Sequence, residues 1–140
     1  MPTHLSESDA RLILEQGKVG RLGCILNGEP YVVPINYYLQ DDRAYSHSLP
    51  GLKIDALRNN PRACLQVDEI EERLRWRSAL AFGKYEEIQD QDARDAVLSN
   101  LLKRYPMLTP VESSMAIDGA PPSIVVFCIR IERISGVAED

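Results

Sequence analysis

The chain has 140 residues, of which 44% are hydrophobic, with a formal net charge of -5 and a pI near 5.1. That length suits one domain, 1–140, able to bury a core without disulfides or metal, and an acidic chain without a clustered basic face excludes a nucleic-acid groove. No run of about eighteen apolar residues is present to span a membrane, and residues 1–7 lack the basic start and apolar stretch of a secretory signal, so a cytoplasmic location is expected.

In chain order, Ser6 followed three residues later by Asp9, and then by Ala10, Leu12, Ile13 and Leu14, reads as a capped helix that Gly17 closes. A strand over Gly20–Leu26 leads to Asn27-Gly28, a strong hairpin signal, and a returning strand is expected over residues 30–39. Pro34 has no N–H to donate to a ladder, so this strand is expected to have an edge, a bulge or an opening there. Asp41-Asp42 turns the chain into a third strand, 43–47, and Leu52–Asn59 forms a short helix stopped by Asn60-Pro61.

Strand four is expected at 63–67, and a charged stretch, 69–75, separates it from a long strand at 76–89 interrupted by Gly83. Ala93, Val97, Leu98, Leu101, Leu102 and Tyr105 recur at helical spacing, predicting a third helix over 90–105. Residues 107–122, rich in proline, read as a long loop and a candidate lid or interface segment, and 123–137 as the last strand. Strands in succession, with helices at the margins and no βαβ rhythm, predict a mainly β, six-stranded antiparallel barrel. Cys24, Cys64 and Cys128 each lie alone in an apolar run, an odd count without metal-ligand spacing, so all three are expected as buried reduced thiols and no metal site is expected.

The chemistry concentrates at one strand-to-helix junction. Tyr45-Ser46-His47-Ser48 and then Gly51-Leu52-Lys53 supply hydroxyls, an imidazole, an ammonium and the free N–H groups of a helix start, which together suit a phosphate. Each residue also has an ordinary use: a lysine on a solvated helix, a hydrogen-bonded strand-end histidine, or, for Trp76, the filling of a barrel end.

The order of Gly20-Arg21-Leu22-Gly23, then Pro30-Tyr31-Val32-Val33-Pro34-Ile35-Asn36-Tyr37, Ala44-Tyr45-Ser46-His47-Ser48, Gly51-x-Lys53, Asn60-Pro61-Arg62-Ala63, and Trp76-Arg77-Ser78 up to Gly83 resembles the flavin-binding split-barrel superfamily of the pyridoxamine 5'-phosphate oxidases. The likeness is to its short, nitroimidazole-resistance-like branch. It implies a Greek-key split barrel that dimerises with itself and holds FMN in two clefts between the subunits. By motif position it implies Val33, Pro34, Ile35 and Asn36 along the flavin ring, Tyr45, Ser46 and His47 beside the ring or ribityl chain, and Gly51, Leu52 and Lys53 at the phosphate. Trp76 and Ser78 would approach from the later strand, of the same or of the other subunit.

The activity implied is an FMN-dependent oxidoreductase that takes NAD(P)H as transient donor and acts on a small molecule such as a nitro-compound, a quinone or free flavin; no catalytic residue is assigned. A non-catalytic module that binds flavin or another cofactor, and a structural dimer without one, are the competing readings. Pyridoxamine-phosphate oxidation itself fits less well, because the chain ends Ile131-Glu132-Arg133-Ile134-Ser135-Gly136-Val137-Ala138-Glu139-Asp140 and has no histidine after His47.

Overall fold

A computed structural model describes residues 2–105 and 124–140. Among them are eight strands: β1 Thr3–His4, β2 Gly20–Leu26, β3 Glu29–Ile35, β4 Tyr38–Gln40, β5 Arg43–Ser48, β6 Arg62–Glu72, β7 Arg75–Glu87 and β8 Val125–Glu139. Three helices, α1 Glu7–Gln16, α2 Leu52–Asn59 and α3 Gln91–Arg104, complete the described elements. The expected loop and lid at 107–122 lies outside the described residues.

Local chemistry explains most of the boundaries. Ser6 Oγ accepts the Asp9 N–H at 3.1 Å to start α1, and the Asp90 carboxylate accepts the Ala93 N–H at 3.0 Å to start α3. At the first hairpin Asn27 and Gly28 have φ of 52° and 81°, the left-handed pair that a two-residue turn needs. Counting back from that turn pairs Leu26 with Glu29 and Gly20 with Ile35, which puts Leu22, Cys24, Tyr31, Val33 and Ile35 on one face.

All the pairings are antiparallel, in the order β3-β2-β6-β7-β8-β5-β4, with β1 added against β8. β3 and β4 are thus the two ends of the sheet, yet only Asn36 and Tyr37 separate them in the chain. A sheet whose opposite edges are joined by two residues must curl until those edges meet. The result is a barrel split along the β3/β4 seam, the fold class expected, with Pro34 on an edge strand where its missing N–H costs no ladder bond.

Two of the six expected strands change. Residues 30–39 do not form one strand: the chain bends at Asn36-Tyr37 because the Tyr37 side chain is fully buried and its hydroxyl donates to the Leu14 carbonyl. β6 runs past the expected 67 to Glu72, since the backbone keeps pairing with β7 as far as Arg75 while the last charged residues, Glu71 and Glu72, stay exposed to solvent. Thr3–His4, too short to carry a periodicity, pairs with Ala138 and Val137, and together with the division of 30–39 into β3 and β4 it raises the count from six to eight.

The barrel is filled by Leu22, Tyr37, Leu65, Ala81 and Phe127, and closed by Ile13 and Leu14 of α1 and Ile54 and Leu57 of α2. Each large side chain buried in this way is worth about 1.5–3 kcal/mol relative to exposure. A second cluster, Val97, Leu98 and Leu101 against Ile124 and Val126, seats α3 on the outer face of β5 and β8. Cys24 and Cys128 are buried thiols as expected, whereas Cys64 is only half-buried, because its position opposite Gly23 puts it on the outer face of the sheet. Among the described residues no helix is long and apolar enough to cross a membrane.

Candidate functional site at the barrel seam

The mouth of the seam opens into a cavity of ≈ 530 Å³ lined by Val19, Pro34, Ile35, Asn36, His47, Ser48, Leu49 and Lys53. The end of β3 and the link beyond it form one wall, the end of β5 the other, and the first turn of α2 the polar end. Ser46, fully buried, ties the walls together by donating to the Asn36 carbonyl at 2.6 Å.

Lys53 supplies the charge. Burial pushes its pKa below the ordinary lysine value, the cost of holding an ammonium away from water, and the nearby Cys24 sulfur opposes that shift. Beside it, Gly51 is the N-cap of α2 and no side chain caps the helix. The N–H groups of the first turn are therefore available at the positive end of the helix dipole, next to a half-buried cation. The remainder of the cleft is apolar, from Val19, Pro34, Ile35 and Leu49. Such a site suits a flat, largely apolar ligand with an anionic tail.

Of the residues singled out from sequence, Pro34, Ile35, Asn36, His47 and Lys53 come together in this cavity. Gly51 and Leu52 flank Lys53 at the helix start, and Leu52 is exposed. A Cβ at Gly51 would meet open space, so the fold itself does not require glycine there. Val33 faces into the barrel and packs on the core. Ser46 also points inward, while Tyr45 points outward under α3, stacked on Tyr38 with ring centroids 5.1 Å apart. Trp76 and Ser78 lie on the outer face of β7 and do not line the cavity.

Val19 and Leu49 line the cavity without having been singled out, and Ser48, named with the strand-end hydroxyls, lines it too. Val19 had a signal in the hairpin register, which sets the residue before Gly20 against Asn36. Ser48 and Leu49 simply continue the strand end that carries His47.

The model of the family described as pyridoxamine 5'-phosphate oxidase matches residues 6–138. The chain belongs to that family. It is 32% identical over 143 residues to an uncharacterized protein of Rhizobium meliloti, an alignment spanning 96% of this chain and 93% of the relative. Among solved structures it is similar to a FAD-binding protein of Mesorhizobium loti, with a TM-score of 0.76 and 32% identity over 100% of this chain and 99% of the other. A candidate 5-nitroimidazole antibiotic resistance protein of Bacteroides thetaiotaomicron shares the fold at a TM-score of 0.78, with 24% identity over 99% of this chain and 89% of that one.

Proposed function

We propose that this family member is a flavoprotein that holds the flavin phosphate at Lys53 and the start of α2, with the ring along Pro34, Ile35 and Asn36. The observation that carries this reading is the half-buried ammonium beside an uncapped helix start, at the polar end of an otherwise apolar cleft. A phosphate there satisfies the amides and the cation at once, and so repays the desolvation of Lys53. FMN is the form that the sequence resemblance implies. The FAD-binding relative at 32% identity makes FAD the second reading, and both forms carry a phosphate next to the ribityl chain. The mass of the cofactor released from purified protein decides between them.

The bound flavin would supply hydride chemistry, while the chain binds it, excludes water and shapes the space above the ring. The activity proposed is oxidation of NAD(P)H with transfer to a small acceptor such as a nitro-compound or quinone. Steady NAD(P)H consumption with such acceptors by flavin-loaded protein supports it. Stoichiometric flavin without turnover across the panel leaves a binding or sensing module, and protein that shows no visible flavin absorbance after reconstitution and desalting ends the reading.

Two copies of the chain are proposed to share the site. Ile70 and Leu74 stand 67% and 57% exposed around the β6–β7 hairpin, next to Trp76, and apolar groups so exposed suit a symmetric partner. A partner seated there would bring its Trp76 and Ser78 toward the cleft. Ser78 Oγ already accepts the Gln66 Nε2 hydrogen at 3.0 Å, so its own O–H is directed elsewhere as a donor.

A further inference from the structure

We infer that the outer face of the barrel carries a second ligand site, for an aromatic anion, in a groove floored by Gly23. The groove follows from strand register. Gly23 lies opposite Val32 on β3 and Cys64 on β6, Cys64 opposite Phe82 on β7, and Phe82 opposite Arg133 on β8. Directly paired residues project to the same side of a sheet, so these five form one row across five strands. The glycine leaves a notch between Val32 and Cys64, and a Cβ added there would stand 2.8 Å from Cys64 Sγ.

The notch opens into a cavity of ≈ 490 Å³, within the range of about 300–1,000 Å³ usual for small-molecule sites. Its walls are chiefly apolar, including Ile25, Pro30 and Phe82. Arg133 lies over the Phe82 ring, 4.0 Å from the centroid, which fixes a planar cation along one wall. Arg62 lines the cavity as well, against one acid, Glu132. Neither arginine is within ion-pair distance of a carboxylate among the described residues. On a chain of net charge -5, this apolar groove with a cationic rim selects a ring bearing a carboxylate or phosphate.

The site is distinct from the seam cavity, with which it shares no lining residue. It is also adjacent: Val32 and Pro34 are next neighbours on one face of β3, about 7 Å apart at the usual strand rise. A ligand here therefore sits beside a flavin rather than in its place. The proposed partner contact at Trp76 is about 20 Å from Phe82 along β7.

Titrating the purified full chain with benzoate and with adenosine monophosphate, by calorimetry, tests the site and separates a carboxylate from a nucleotide occupant. With Lys53→Ala as the background, so that the cation of the seam cleft takes up no probe, saturable binding of either probe is expected, weakened about tenfold by Arg133→Ala or Arg62→Ala. Gly23→Ala fills the notch without altering charge, and its one close contact is Cys64, so the pair Gly23→Ala/Cys64→Ala keeps the notch filled with the clash relieved. Both are expected to lose probe binding, with the unfolding midpoint of the double variant near wild type. Failure of the flavin reading shows in Lys53→Ala alone and leaves these results intact. No saturable binding of either probe, binding indifferent to both arginines, or protection of the groove from hydrogen exchange that rises with protein concentration rather than with probe overturns the inference.

Discussion

Ser46 Oγ donates to the Asn36 carbonyl at 2.6 Å, and this bond ties β5 to the link at the β3/β4 seam, where the two end strands of the sheet do not pair with each other. Asn36 belongs to the link that brings the two ends of the sheet together, so the bond holds both the barrel's closure and one wall of the cleft. Ser46→Ala removes the donor and leaves a shielded carbonyl without it, a loss of about 1–3 kcal/mol. Urea unfolding is expected to show that loss, and flavin affinity is expected to fall with it, because His47 and Asn36 on the facing walls lose their fixed spacing. Unchanged stability would mean that the seam is held elsewhere.

Gly83 answers to a different constraint. Its Cβ would lie 2.1 Å from the Arg130 carbonyl oxygen, a backbone atom in the paired strand that cannot step aside. The register of β7 against β8 shifts at this point, leaving Glu132 unpaired between Arg133 and Ile131. Gly83→Ala is expected to cost about 3 kcal/mol, at the upper end of overpacking, and to lower the unfolding midpoint accordingly. At Gly51, where a Cβ meets open space and φ is extended at 173°, alanine is expected to leave stability nearly unchanged.

Elements whose causes are local were legible in the sequence. Ser6, Asp90 and the Asn27-Gly28 turn act on their immediate neighbours, and the elements they start end close to where local chemistry predicts. The bend at Tyr37 was hidden because its causes are distant: Tyr105 Oη accepts the Tyr37 N–H at 3.1 Å and donates to the Tyr37 carbonyl at 2.8 Å from 68 residues along the chain. Charged residues in β6 masked a strand that its pairing with β7 sustains. Within the site, strand parity carries information that motif order lacks. Tyr45 and Ser46 are consecutive in β5 and face opposite sides, Ser46 into the barrel and Tyr45 under α3, so neither lines the cleft that His47 and Ser48 reach at the strand's end. The same parity puts Trp76 and Ser78 on the outer face, whereas what covers that face is not written in a single chain.

Lys53 is expected to set the pH dependence of flavin binding. Burial holds its pKa below 10.5, so as pH rises through that lowered value the free protein loses the ammonium, and flavin affinity falls from there upward. For the cofactor-free fold the sign is opposite. The folded state holds this proton less tightly than the unfolded chain, so stability increases between the lowered value and 10.5. Cys24 works against that increase, since burial raises its pKa above 9.0 and stability is lost as the pH climbs past 9.0. Cys128, Tyr37, Tyr38, Tyr45 and Tyr85, also raised by burial, act in the same direction as Cys24, so the stability arm is read as the difference between wild type and Lys53→Ala across pH. Lys53→Ala is expected to weaken flavin binding by about tenfold or more and to remove both pH effects. Gly51→Ala, neutral for folding, is expected to weaken it as well, because the new methyl group occupies the approach to the helix start. Equilibrium dialysis across pH reads all three outcomes, and affinity that ignores Lys53 would remove the phosphate from this position.

Trp76 offers an optical test of the shared site, being the only tryptophan in the chain and lying outside its own protomer's cleft. If the partner subunit brings Trp76 over the cleft, flavin titration quenches its fluorescence, and the quenching disappears on dilution below the dimer's dissociation constant. Ile70→Asp with Leu74→Asp places two charges on the exposed apolar patch, an addition that a folded monomer tolerates but that a symmetric contact, meeting each charge twice, does not. The expected result is a shift in sedimentation mass from twice 15.8 kDa to 15.8 kDa, with tryptophan quenching lost and the far-UV spectrum retained. Quenching that survives in the monomeric variant would mean that Trp76 senses the flavin of its own chain. A wild-type mass of 15.8 kDa at micromolar concentration would remove the partner from the site.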